Sequence, residues 1–127
     1  MQGNHLFEYA VIRVVPRVER EEFINVGVIV YCRERRFLRA MITVDEQKLT
    51  AFCSLLDVSD LKAHLVALEH ICTGSKEGGP IAALEVATRF RWLTALRSTI
   101  VQTSRVHPGF CTDLQEAVIK LHAQLVL

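Results

Sequence analysis

Three apolar runs rich in Val, Ile and Tyr crowd the first 44 residues: Phe7 to Val15, Ile24 to Cys32 and Phe37 to Val44, with only eight and four residues between them. Runs of this length and β-branched content fit strands, and links this short leave no room for a crossover, so neighbouring strands must run antiparallel. The chain is therefore predicted to begin as a three-strand meander. In the second run strict alternation puts Ile24, Val26, Val28, Val30 and Cys32 on one side, with Asn25, Gly27, Ile29 and Tyr31 on the other. In the third, Leu38, Ala40, Ile42 and Val44 face the core.

After residue 44 the apolar period changes from two to that of a helix. Asp45 is placed to cap a short helix carrying Leu49, Phe52 and Leu56. Asp57 or Ser59 can cap a second one with Leu61, Leu65, Leu68 and Cys72 on one stripe, ending at Gly74. The stretch GSKEGGP, residues 74 to 80, reads as a loop too short to link domains. Leu84 to Leu93 reads as helical and Ser98 to Thr103 as a fourth strand, while Pro108-Gly109 is expected to interrupt the chain. A final helix is predicted from Thr112, with Leu114, Val118, Leu121 and Leu125 as its apolar stripe. Strands first, helices after and one late strand returning give an α+β fold. We expect an antiparallel sheet of about four strands, the meander plus the late strand, with helices packed on one face, in a single domain over residues 1–127.

That arrangement directs attention to the second sheet face. By parity it carries Tyr9, Arg13, Asn25, Gly27, Tyr31 and Arg39, a set too polar for a second core and too aromatic to be merely solvated. It is a site, an interface, or a face covered in part by the segment after residue 84. The neighbouring link VPRVEREEF adds Arg17 at the rim. Between residues 13 and 39 seven arginines meet four glutamates, although the whole chain carries a net charge of only +1. Such local basic charge suits a phosphate, a carboxylate or an acidic partner. A pI near 7.7 argues against a dedicated nucleic-acid binder.

Other constellations are weaker. His107 with Ser98 and Cys111 lacks a nucleophile motif. His64 and His70, six apart on a helix, diverge too far to share a metal. The four cysteines show no metal-ligand spacing and lie mostly in apolar stretches, where a free thiol packs as a small hydrophobe. No metal, cofactor or catalytic residue is assigned. No apolar run reaches the ~18 residues of a membrane span and no secretory h-region follows Met1, so a reduced, cytoplasmic protein is expected. The segment RFRWLTALRSTIVQTSRVHPG, residues 89 to 109, concentrates Arg89, Arg91, Arg97 and Arg105 around Trp92, which is either core plus surface charge or a recognition surface.

Taken together, YAVIRVVPRVEREEFINVGVIVYC at residues 9 to 32, RFRWLTALRSTIVQ and VHPG resemble an uncharacterised bacterial family, domain of unknown function 3037, over nearly the whole chain. The resemblance implies no established activity or cofactor. It implies genomic proximity to a kinase-like protein of the HipA toxin type, and so a protein partner. The expected function is an accessory interaction module without catalysis, binding a protein partner or a second copy of itself through the polar sheet face, with Tyr9, Arg13, Arg17, Asn25, Gly27, Tyr31, Arg39, Arg97 and Ser98 as candidates. The alternative is a small enzyme or ligand-binding domain for an anionic group held by Arg13, Arg17, Arg97 and the backbone near Gly27. A weak nucleic-acid binder comes third.

Overall fold

The computed structural model describes residues 4–95 and 99–127. The meander forms as its runs suggest: β1 (His5–Val14), β2 (Ile24–Cys32) and β3 (Phe37–Ile42) are successive antiparallel neighbours. Helices α1 (Glu46–Phe52), α2 (Val58–Thr73), α3 (Gly79–Ala82) and α4 (Val86–Leu93) follow, then β4 (Val101–Thr103), β5 (His107–Cys111) and α5 (Leu114–Leu125). The α+β class with one open antiparallel sheet is the class observed, in the order β3-β2-β1-β4, with β5 also on β1.

One extra residue in β2 decides which side chains face where. Ile12 lies opposite Gly27, but Arg13 lies opposite Asn25, so Val26 has no partner residue of its own and bulges. A bulge of this kind breaks the two-residue alternation. Val26, Ile29 and Tyr31 therefore join Ile12 and Val14 in one core, under α2 and α4, while Val28, Val30 and Cys32 join Phe7 in a second. Alternation alone had put Val26 with Val28, and Tyr31 with Asn25. Gly27 fills a packing role at this point: a Cβ there would come within 2.8 Å of the Met41 carbonyl oxygen and 2.9 Å of Ile42.

The second core explains where the last helix goes. Phe7, Val28 and Val30 cannot face water cheaply, since burying each contributes about 2 kcal/mol. Leu114 and Val118 of α5 close over them. Helices thus cover both faces of the sheet rather than one, and the supposedly open polar face lies beneath the segment after residue 84. Asp113, not Thr112, caps α5 by accepting from the Glu116 amide at 3.1 Å.

The late strand is split. Ile12 faces Thr103 whereas Tyr9 faces His107, so Ser104, Arg105 and Val106 stand opposite only Ala10 and Val11. Ser104 closes the gap: its hydroxyl accepts from the Val11 amide at 2.9 Å and its own amide donates to the Val11 carbonyl at 2.8 Å. Pro108-Gly109 does not break the chain but lies within β5. Proline is tolerated because β5 is an edge strand, and glycine is needed because Phe7 crosses it, leaving a Cβ only 2.5 Å from the ring.

The helix caps follow the sequence closely. Asp45 accepts from Lys48 and Asp57 from Asp60, and Gly74 ends α2 at φ 74°. GSKEGGP is more ordered than a loop: a 3-10 turn over Lys76–Gly78 runs directly into α3. Arg89, 9% exposed, locks α4 onto α2 by donating to the carbonyls of Ile71 at 2.8 Å, Cys72 at 2.9 Å and Leu84 at 3.0 Å. Among the described residues no helix is long and apolar enough to cross a membrane.

A candidate anion-binding cleft

The seven sequence candidates among the described residues do not form one site. Tyr9, Arg13, Asn25 and Arg39 share the α5 side of the sheet, and the helix has already engaged two of them. Asn25 Nδ2 donates to the Leu125 carbonyl at 3.0 Å, and Arg39 donates to Gln115. Tyr9 packs its ring between Phe7 and His107, with centroids 6.1 and 5.4 Å away. Arg13 lies 4.0 Å over the Phe23 ring, a cation–π contact that shields its charge in a half-buried position. Its Nε–H and the Asn25 Oδ1 are both buried without a hydrogen-bond partner. Arg97 and Ser98 lie outside the described residues.

Arg17 stands apart from Arg13, at a cavity of 330 Å³ formed by Pro16, Arg20, Glu22 and the end of α1. Here Arg20 donates to Glu22 at 2.7 and 3.2 Å. That contact raises the Arg20 pKa and holds the Glu22 carboxyl below its usual range. Both side chains are open to solvent, so the pair orders the charged link without stabilising the fold appreciably. VPRVEREEF is thus a connection that carries its own ion pair.

The arginines that do converge are elsewhere. β2 and β3 are joined by the four-residue turn Arg33 to Arg36, closed by the Arg36 amide on the Arg33 carbonyl at 3.3 Å. Across from it lies the start of α4. Arg33 and Arg36 from the turn and Arg91 from the helix line one cavity of 310 Å³ with Tyr31, Glu85, Val86 and Ala87. No described carboxylate comes within 4.0 Å of the three guanidinium groups, the ion pairs being Arg20–Glu22, Lys62–Glu46 and His64–Asp60. Arg36 also holds φ 49°, a left-handed conformation that costs a non-glycine residue about 1 kcal/mol.

Tyr31 gives this cleft its floor. It is only 3% exposed and stacks on Phe90 at 4.8 Å with the rings 22° apart. Its hydroxyl has no hydrogen-bond partner among the described residues, nor does it belong to the fully enclosed orphans, which are on Arg13 and Asn25. Tyr31 itself is among the residues that line the cavity. Sequence parity selected Tyr31 but joined it to the wrong neighbours. Arg33, Arg36 and Arg91 were visible only as charged turn and helix residues, and nothing local shows that they meet.

A third concave surface, of 600 Å³, runs between β5 and α5 beside Phe7, Ile119 and Leu121. Phe110 at its edge is 70% exposed and pairs across the strands with the half-exposed Leu6. Three of the five histidines have ordinary polar partners: His64 meets Asp60 at 3.6 Å, His70 meets Ser75 at 2.9 Å, and His122 meets Thr43 at 2.8 Å. Among the described residues no three His, Cys, Asp or Glu side chains are grouped to hold a metal ion. Burial pushes the Cys72 thiol up to about 12, against a smaller opposite effect of Arg89. Burial also raises the Cys111 thiol.

Comparison with known proteins agrees with the resemblance seen in the sequence. No curated protein matches the chain, and no solved structure does. The family model described as "Protein of unknown function (DUF3037)" matches residues 9–126, from within β1 to the end of α5, and the chain belongs to that family.

Proposed function

We propose that this protein is an accessory interaction module that docks an acidic segment of a protein partner on its arginine-bearing end. The observation that carries this reading is the convergence of Arg33, Arg36 and Arg91 on one cavity where, among the described residues, none of the three forms an ion pair with a carboxylate within 4.0 Å. Guanidinium groups left unpaired beside one another repel, and an anionic partner relieves that repulsion while gaining bidentate hydrogen bonds. Exposed Trp92, next to Arg91 in α4, adds the kind of residue that dominates interface energies. The polar sheet face is not the docking surface in this reading, because α5 occupies it. A kinase-like partner is the occupant that the family resemblance favours.

The test is a nitrogen-15 NMR titration of the whole chain with a hexaglutamate peptide. Amide shifts concentrated at Arg33, Arg36, Val86 and Ala87, and lost in Arg33→Ala/Arg91→Ala, are expected. Shifts centred instead on Arg17 and Arg20, or on β5 and α5, would move the docking face away from this end and end the proposal.

A further inference from the structure

We infer that the cleft between the β2–β3 turn and α4 binds a phosphoryl group. The inference rests on reading this end as the docking face and names the group that the face takes. Four features support it, and the first is Tyr31. A tyrosine that is 3% exposed ordinarily satisfies its hydroxyl within the protein. Here the ring is held by Phe90, the hydroxyl has no hydrogen-bond partner among the described residues, and the residue lines the cavity. It can donate to an oxygen entering there.

The second feature is charge. Three guanidinium groups and the Glu85 carboxylate line the cavity, leaving +2. A carboxylate neutralises half of that. A phosphate monoester, with about −1.5 to −2 at neutral pH, neutralises nearly all of it and offers three acceptor oxygens.

The third feature is the backbone. Glu85 precedes α4 without capping it by its side chain, and Val86 and Ala87 line the cavity. The first amides of a helix have no partner within it, so they add donors on the wall opposite Arg33 and Arg36. The fourth is Arg36 itself. Glycine or asparagine suits a φ of 49° better, so arginine is held there against local preference.

The probes are inorganic phosphate, O-phosphoserine and acetate at matched ionic strength, each titrated into the whole protein and followed by NMR. Saturable shifts at Arg33, Arg36, Val86 and Ala87 are expected with both phosphates, with acetate about tenfold weaker. O-phosphoserine binding tighter than inorganic phosphate would identify a phosphorylated side chain as the natural source, and the reverse order a free phosphate; either supports the site. Arg91→Ala should weaken phosphate by about tenfold. Tyr31→Phe keeps the ring stack and should weaken it several-fold. Arg36→Gly removes both the guanidinium and the strain, so phosphate should weaken about tenfold while the thermal midpoint stays the same or rises. Unsaturable shifts spread over Arg17 and Arg20, or an affinity unchanged in all three variants, would overturn the inference. If hexaglutamate moves these amides and phosphate does not, the phosphoryl site falls and the docking face stands. If neither moves them, both fall.

Discussion

The guanidinium of Arg89 sits 2.9 Å from the carbonyl oxygen of Cys72, seventeen residues earlier, and so clamps the end of one helix to the middle of another. α4 in turn carries Val86, Ala87 and Arg91 to the cleft. A buried arginine with no carboxylate beside it is here a backbone cap: it satisfies the last carbonyls of α2, which have no partner within their own helix. Replacing it by methionine keeps the apolar stem and removes three charge-assisted bonds. Arg89→Met should cost about 3 kcal/mol in urea unfolding and increase amide exchange in α4 more than in the sheet.

Gly109 tests the split edge strand. Phe7 occupies the position of its missing side chain, and Phe7 belongs to the core under α5. Gly109→Ala should destabilise by about 2 kcal/mol, because either the ring or β5 must shift. The NMR signature should be lost protection in residues 107–111 with β2 and β3 unaffected. Equal loss throughout the sheet would contradict this account of the edge.

Tyr31 separates stability from binding. Its ring fills space against Phe90, so Tyr31→Ala should cost about 3 kcal/mol by chemical unfolding. Its hydroxyl makes no hydrogen bond within the described residues, so Tyr31→Phe should change stability by less than ~0.5 kcal/mol. A large loss in the phenylalanine variant would show that the hydroxyl is structural.

Cys72 gives the fold an alkaline limit. Burial lifts its thiol from 9.0 to about 12, so the folded state keeps a proton that the unfolded chain releases earlier. The contribution is complete below about 9 and is lost as pH rises from there toward 12. Wild type should therefore lose more stability than Cys72→Val between pH 8 and pH 11, measured by urea midpoints. At pH 8 in the native state iodoacetamide should modify half-buried Cys53 well before Cys72.

What the sequence shows of this fold is what depends on near neighbours. Asp45 and Asp57 cap because their side chains reach amides three residues on, and Leu61, Leu65 and Leu68 share a stripe because a helix turns at a fixed rate. Apart from the α5 cap and the turn at residues 74 to 80, the misplaced features depend on distant partners. Pro108-Gly109 looks like a break until Phe7 lies over the glycine and β1 takes up the strand. Val26 looks like any alternating residue until Ile12 and Arg13 are set opposite it. The site failed at the same point: one unpaired residue moved Tyr31 from the company of Asn25 to that of Arg91.

β2 is thus a single strand serving two interiors, one on either side of its own length, and the bulge at Val26 sets which residues each receives. Most changes of residue type along it would be absorbed by whichever interior receives them. A change in the number of residues would not, because removing one position between Asn25 and Val28 would send every following side chain to the opposite layer. What this segment must inherit unaltered is a count rather than a composition, and a one-codon deletion here would be more disruptive than several substitutions.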